Sequence, residues 1–200
     1  MTPGMIDSVG LRRLTTRDLP AIAGWFQDPD TSRFLGGPDW PAAILANAQR
    51  AVGTSFRGAW QTAADHFLAL AAGVPVGYVD CGTFDRRAVY GGEGQDGPIT
   101  LETIEAITGA IAFTTDPARR REGLATLMIR ALIDHPDLST VELFEAGVEP
   151  ENHASRRTLE AAGFHLRSPE PDCEEMLYYE LWPPGRRATL PPRPGSAMRA

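Results

Sequence analysis

The chain of 200 residues is 42% apolar and 22% charged, which is typical of one globular domain and excludes a disordered, collagen-like or disulfide-dense protein. The formal net charge of −7 argues against nucleic acid as a partner and favours a cationic one. No apolar run is long enough to predict a membrane span.

The rare residue types exclude several kinds of chemistry. Two cysteines, Cys81 and Cys173, are too few for a disulfide framework or a zinc site, so we expect no metal. All 19 basic residues are arginine, which excludes a lysine nucleophile or Schiff base and is typical of a GC-rich bacterial genome. The first residues lack the basic-then-apolar pattern of a signal peptide, and we expect a cytoplasmic protein.

The first half of the chain predicts strands, helices and one hairpin. The expected elements are a strand over 9–14, a helix over 19–26, a helix over 40–52, and strands over 66–72 and 76–81. The turn at residues 73–75 joins the last two strands as a hairpin. Residues 83–101 are rich in glycine and charge and predict a mobile surface excursion.

The second half alternates strands and helices. A β-branched run over 103–115 predicts a long central strand with a bend or bulge at Gly109. The elements expected after it are a helix over 124–133, a strand over 140–148, a helix over 152–162, and strands over 164–167 and 176–181. This order predicts an α/β fold with a mixed sheet in one domain over 9–182. Residues 1–8 form an extension, and the Pro/Arg-rich residues 183–200 form a tail without a core pattern.

The segment from Asp116 to Arg130 combines a strand end, an arginine run and a helix that opens at Gly123. The first amides of a helix have no internal partner, and the helix dipole is positive there. Small residues at Gly123 and Ala125 permit close approach, and three arginines at 119–121 add charge. The segment therefore predicts a phosphate site, with a solvated helix cap as the alternative.

Two motifs resemble those of the GNAT superfamily of acetyl-CoA-dependent N-acetyltransferases. The run Arg120-x-x-Gly123-x-Ala125 after a strand is similar to the family's motif at its cofactor helix. The later run PENHASRRTLEAAGF over 150–164 is similar to the family's P-x-N-x-x-S-x-x-x-x-E-x-x-G-F segment. The resemblance covers residues 9–181. It implies a mostly antiparallel sheet of about seven strands, with flanking helices and a wedge where the fourth and fifth strands splay apart.

The resemblance implies acetyl-CoA as the co-substrate in that wedge. Its pantetheine arm would pair with the end of the fourth strand, and its pyrophosphate would meet the amides at about 121–126. Asn152 would hold the cofactor from the opposite wall, although it is also a good helix cap. The implied cofactor-binding residues are Phe113, Thr114, Thr115, Arg120, Arg121, Glu122, Gly123, Leu124, Ala125, Thr126 and Asn152.

The implied reaction is direct acyl transfer to a primary amine, which must first lose a proton. The family's usual acidic position in the fourth strand holds Ala110. Glu105 and Asp80 are therefore the candidate bases, and each is alternatively a solvated or ion-paired carboxylate. The family's usual tyrosine position holds Leu159, so Ser155 is the candidate acid for the departing thiolate.

The acceptor is left open among a small cationic amine, an aminoglycoside-like compound and a protein N-terminus. Acidic residues within 83–101, including Glu93 and Asp96, and within 170–175 favour a cation. The run VGYVDCGTFD and the insertion after it resemble aminoglycoside 6′-N-acetyltransferases. The alternative function is an acetyl-CoA-binding module without efficient catalysis. We expect neither nucleic acid nor a membrane as partner, and a homodimer is left open.

Overall fold

The computed structural model describes residues 8–186. Most of the predicted N-terminal extension, residues 1–7, and of the predicted tail, residues 187–200, lies outside the described residues. Within the described range, no helix has the length and apolar character needed to cross a membrane.

The described chain contains ten strands and five α-helices. The strands are β1 (Gly10–Arg13), β2 (Ser55–Phe56), β3 (Ala59–Ala71), β4 (Val74–Phe84), β5 (Arg87–Gly94), β6 (Gly97–Ile104), β7 (Thr108–Thr115), β8 (Leu143–Val148), β9 (His165–Leu166) and β10 (Leu177–Leu181). The helices are α1 (Leu19–Ile22), α2 (Pro29–Phe34), α3 (Trp40–Ala51), α4 (Leu124–Ile133) and α5 (His153–Ala162). Short 3-10 helices lie at Ala23–Gln27, Pro117–Arg119 and Pro136–Leu138.

One large sheet organises the fold, in the order β1-β3-β4-β7-β8-β10-β9, with β2 paired to the start of β3. Every pair in this sheet is antiparallel except β7 with β8, which are parallel. The predicted α/β fold with a mixed, mostly antiparallel sheet is confirmed. A parallel pair needs a crossover connection, and α4 supplies it.

The two faces of the sheet are covered by different helices. On the face that we call the α4 face, helices α4 and α5 bury a large core that includes Val79, Met128 and Phe144. On the opposite face, which we call the α1 face, the segment from α1 to the following 3-10 helix packs on Tyr78, and the Trp40 ring lies 5.5 Å from that of Phe26. This smaller cluster covers the part of the α1 face that lies toward β1 and β3.

The prediction of a mobile excursion over 83–101 is wrong. Strands β5 and β6 form a separate two-stranded hairpin over these residues. Its Arg87 side chain is only 5% exposed and lies 3.1 Å from Glu180 of β10. An ion pair of this kind joins residues far apart in sequence, so the local glycine-rich composition does not reveal it.

The prediction of one long strand over 103–115 is also wrong. Strand β6 ends at Ile104, and β7 begins at Thr108. In the link between them, the Ile107 amide donates a hydrogen bond to the Glu142 carboxylate at 2.9 Å. Gly109 forms no bulge, because it pairs in regular register with Thr83. A β-carbon on Gly109 would lie 2.8 Å from Cys81 Sγ, so glycine is required by close packing rather than by a bend.

This packing predicts that Gly109→Ala lowers the free energy of unfolding by about 1–3 kcal/mol, the usual cost of an added methyl in a filled core. Gly10→Ala is the matched control, because a β-carbon on Gly10 meets nothing within 4 Å. We expect that control to stay within about 0.5 kcal/mol of the wild type in urea denaturation. Equal losses in the two variants would contradict the packing account.

Candidate functional site

Strands β7 and β8 separate after a short paired stretch. They pair at three positions, of which the last joins Ala110 to Glu145. Beyond it, residues 111–115 and 146–148 line a groove of about 810 Å³, together with α2 and the first turns of α4 and α5. The predicted site residues that line this groove are Phe113, Thr114, Thr115, Arg120, Arg121, Gly123, Leu124, Ala125, Thr126, Asn152 and Ser155.

The inner edge of β7 offers main-chain groups to this groove. The Asp116 amide donates to the Val76 carbonyl of β4 at 3.0 Å. This bond shows which residues of β7 direct their main-chain groups toward β4. Since successive residues of a strand direct their main-chain groups to opposite sides, Phe113 and Thr115 point theirs into the groove. Thr114 instead pairs its main chain with β4 opposite Tyr78. The exposed edge can bind an extended chain that carries amides.

The start of α4 offers a second set of main-chain donors. The first hydrogen bond of the helix runs from the Leu127 amide to the Gly123 carbonyl at 3.2 Å. Within residues 8–186, the amides from 120 to 126 donate to no other protein group. Gly123 begins the helix at φ +76° and Arg121 precedes it at φ +69°. These left-handed conformations turn the chain sharply so that the first-turn amides face the groove, as an anion site requires.

Arg120 joins this loop to α2. Its guanidinium forms an ion pair with Asp28, the residue that caps α2 by accepting from the Thr31 amide at 3.1 Å. Arg120 also donates to Thr31 Oγ1 at 3.3 Å, and that hydroxyl lies 3.4 Å from Thr114 Oγ1. The Arg120 partner holds the pKa of Asp28 below its ordinary value. Arg120 therefore fixes α2 as a wall of the groove.

The other two arginines of the run differ in their partners. Arg119 donates to Glu122 at 2.6 Å, so the charges of these two side chains are paired, and Glu122 does not line the groove. Arg121 lines the groove, and its guanidinium makes no hydrogen bond or ion pair within the described part of the chain. Arg157 of α5 lines the opposite wall. Arg121 and Arg157, together with Arg33 of α2, are the groove-lining arginines without an ion-pair partner among residues 8–186, so their charges can meet an anion in the groove.

Asn152 and Ser155 lie together at the start of α5. The Asn152 side chain accepts from the Ser155 amide at 3.1 Å, so its expected role as a helix cap is confirmed. Both residues line the groove. Their predicted roles, holding the cofactor and protonating the thiolate, stay predictions.

Asp80 stands on the α1 face of β4, directly opposite Ala112 of β7. Its carboxylate accepts from the Ala112 amide at 3.0 Å and from the Tyr78 hydroxyl at 2.8 Å. Since the Tyr78 hydroxyl donates its hydrogen bond to Asp80, the Tyr78 oxygen accepts from His66 Nδ1 at 2.8 Å, and Nδ1 carries the hydrogen of that ring. Burial raises the pKa of Asp80 to about 6. Asp80 is therefore a buried carboxylate with a raised pKa beside the groove-lining strand.

The structure does not bring Glu105 to the groove. It lies in the link between β6 and β7, with its side chain 74% exposed, and pairs with Arg86 at 3.2 Å. Sequence reasoning missed the residues that support Asp80, namely His66 and Tyr78. It also missed Glu145. Tyr78 lies in the run VGYVDCGTFD, but its contacts, like those of His66 and Glu145, depend on strand register rather than on a local motif.

Comparison with known proteins gives the family. A model of the acetyltransferase (GNAT) domain matches residues 8–165. The uncharacterized N-acetyltransferase YfmK of Bacillus subtilis (strain 168) is 31% identical over 88 residues, which are 44% of this chain and 59% of that protein, less than two thirds of its length. Aminoglycoside N(6')-acetyltransferase type 1 of Klebsiella pneumoniae is 26% identical over 162 residues, 79% of this chain and 74% of that protein.

Solved structures share the fold. The aminoglycoside acetyltransferase AAC(6')-Ib in complex with coenzyme A and kanamycin aligns with a TM-score of 0.61 and 20% identity over 88% of this chain and 95% of that one. RimJ of Mycobacterium smegmatis in complex with CoA-disulfide aligns with a TM-score of 0.57 and 18% identity over 87% of this chain and 81% of that one.

The raised pKa of Asp80 predicts a pH-dependent loss of stability. Between pH 4 and 6 the unfolded chain, with the ordinary aspartate pKa of 3.8, loses this proton before the folded chain does, so ionisation favours unfolding as pH rises. Urea denaturation at pH 4 and at pH 7 measures the change in the free energy of unfolding between the two pH values. In the wild type this change should be a loss about 1–3 kcal/mol larger than in Asp80→Asn. The exposed Asp134→Asn variant should follow the wild type. If Asp80→Asn lost as much unfolding free energy between pH 4 and pH 7 as the wild type, the burial of the Asp80 charge would be contradicted.

Proposed function

The chain belongs to the GNAT acetyltransferase family, and on that basis we propose that it transfers the acetyl group of acetyl-CoA to a primary amine. The observation that carries the proposal is the open edge of β7 beside the unbonded amides at the start of α4. One set of groups suits an amide-bearing arm and the other suits a pyrophosphate. Such a pair of subsites fits acetyl-CoA.

In this proposal the main chain does most of the cofactor binding. Phe113 and Thr115 pair with the pantetheine amides along β7. The amides from 121 to 126 hold the pyrophosphate, with added charge from the Arg121 side chain. Asn152 approaches from the α5 wall. Arg120 and Thr114 contribute indirectly by holding α2 in place.

The amine reaches the thioester from the α1 face, because α4 and α5 cover the other face of the sheet. Asp80 accepts the ammonium proton, directly or through a water, and a pKa of about 6 suits a base that works near neutral pH. The nitrogen lone pair then attacks the thioester carbon to form a tetrahedral intermediate with a protonated nitrogen. As the carbon–sulfur bond breaks, Ser155 gives its hydroxyl proton to the departing thiolate and takes the second proton from the nitrogen. The products are a neutral amide and the CoA thiol, and Asp80 releases its proton to solvent. An amide at the inner edge of β7 polarises the thioester carbonyl.

The acceptor class is a cationic amine. The net charge of −7 favours one, and the 26% identical relative from Klebsiella pneumoniae is an aminoglycoside acetyltransferase. An aminoglycoside-like compound, a small cationic amine and a protein N-terminus all belong to this class. The alternative, a binding module without efficient catalysis, rests on the absence of both the family's usual tyrosine, at Leu159, and its usual fourth-strand acid, at Ala110. Asp80 of the neighbouring strand supplies a carboxylate there, so we do not favour that alternative.

Thiol release from acetyl-CoA tests the proposal with kanamycin, spermidine and an alanine-terminated peptide. We expect the wild type to release thiol with at least one of these amines.

Asp80→Asn should lower kcat by about 10²–10⁴-fold, the usual contribution of a general base. Glu105→Gln should retain turnover, because the Glu105 side chain is 74% exposed and pairs with Arg86 in the link between β6 and β7. Ser155→Ala should lower kcat with little change in KM if Ser155 is the acid.

Two results would contradict the assignment. Release of no thiol with any of the amines would favour the binding module. Full turnover by Asp80→Asn would remove Asp80 from the mechanism. Thermal melting of each variant shows whether a loss of turnover reflects loss of the fold.

A further inference from the structure

Strand β7 presents two small side chains, Ala110 and Ala112, on the α1 face beside the groove. Ala112 pairs with Asp80 of β4, and Ala110 pairs with Glu145 of β8. Residues directly opposite each other in paired strands share a face, so Asp80 and Glu145 flank this alanine floor from its two sides. From strand spacing and rise, their Cα atoms lie about 12 Å apart, which leaves room for an amine-bearing group between the carboxylates.

Glu145 is a largely buried carboxylate that lacks close donors. Its side chain is 17% exposed, and the nearest cation is Arg87, whose Nε lies 3.9 Å away, beyond hydrogen-bond distance. Within residues 8–186 the Glu145 carboxylate accepts no hydrogen bond. Burial raises the pKa of Glu145, and Arg87 and Arg167 oppose that rise. A buried carboxylate without donors is costly, and an entering cation would relieve that cost.

The neighbouring charges do not neutralise Glu145. Arg87 sits closer to Glu180, at 3.1 Å, and the Arg167 guanidinium also lies 3.9 Å from Glu180. Glu102 of the hairpin faces Arg87 at 4.0 Å. The charged and titratable groups around Glu145 are therefore Arg87, Arg167, Glu180 and the Tyr178 phenol, and the exposed Glu102 lies next to Arg87. Glu145 shares both guanidinium groups with Glu180, which lies closer to Arg87, so no cation is dedicated to Glu145.

We propose that Glu145 binds the positive charge of the acceptor amine on the alanine floor, before Asp80 removes the proton. The inference rests on the proposed function and assigns the selection of the acceptor to Glu145. The acceptor must carry a cationic group when it enters. Glu145 supplies binding energy to the charged acceptor, whereas Asp80 acts in the chemical step. Glu145 stands at the last paired position before β7 and β8 separate, next to Ala146, which lines the groove, so an ammonium held by Glu145 would lie at the inner end of the groove.

Steady-state kinetics of Glu145→Gln separate the two roles. With the amine that the wild type acetylates best, we expect KM for the amine to rise at least tenfold and kcat to stay within about threefold, because the variant loses binding of the acceptor. Asp80→Asn should show the opposite split, with the larger effect on kcat. Asp134→Asn, which removes an exposed charge far from the groove, is the control and should leave both constants unchanged.

A second arm uses aniline, an amine that is neutral at pH 7. Any turnover of aniline should be equal in the wild type and in Glu145→Gln, because no positive charge is lost from the complex. Calorimetric titration of the CoA-bound proteins with kanamycin gives a readout that is independent of turnover. Kanamycin should bind Glu145→Gln at least tenfold more weakly than it binds the wild type or Asp134→Asn.

The outcomes separate this inference from the proposed function. A wild type that releases no thiol with any amine overturns both. A wild type that turns over, with an unchanged KM in a folded Glu145→Gln, overturns the role of Glu145 alone, as does a loss confined to kcat. Should Glu145→Gln fail to fold, Glu145→Asp keeps the charge but withdraws it by one methylene. An unchanged KM in Glu145→Asp would also overturn the inference.

Discussion

The separation of β7 from β8 is the constraint on which the site depends. Strand β7 stays paired with β4 up to Thr115, and β8 stays paired with β10 up to Val148, so each strand follows its outer partner. Because a twisted sheet rotates each strand relative to the next, two strands held by different partners diverge. A sheet normally exposes unpaired main-chain groups only at its outer edges. Here the divergence exposes them in the middle of the sheet, between helices that shape a groove around them.

The loop after β7 converts this opening into a specific site. A helix N-terminus alone is a weak indication of an anion site, because many such ends are simply solvated. In this chain the left-handed residues Arg121 and Gly123 turn the amides toward the groove, and Arg120 fixes the loop to Asp28 of α2. The long-range ion pair matters more for the shape of the groove than for stability, since exposed pairs contribute little. In the proposed function Asp80 on the α1 face completes the site, and the acyl donor and the acceptor would reach the reaction centre from different sides.

Local sequence patterns predicted those parts of the site that lie within single segments. The beginning of α4 at Gly123 and the capping of α5 by Asn152 follow from short-range chemistry, and the structure has both. The sequence could not predict contacts that depend on register. The pattern that predicts one strand over 103–115 makes Glu105 a candidate base, whereas in the structure the hairpin ends at Ile104 and Glu105 lies in a link. The role proposed for Glu145 depends on its pairing with Ala110, a position that no motif marks, so the sequence does not indicate it.

Titration calorimetry with acetyl-CoA tests the central claim, that the groove between β7 and β8 and the start of α4 hold the cofactor. Gly123 and Gly53 both have positive φ angles, +76° and +81°, and a β-carbon at either position meets nothing within 4 Å. Gly123→Glu and Gly53→Glu therefore carry similar backbone strain and the same added charge. We predict that Gly123→Glu binds acetyl-CoA at least tenfold more weakly and that Gly53→Glu binds like the wild type. Equal affinities in two folded variants would contradict the account.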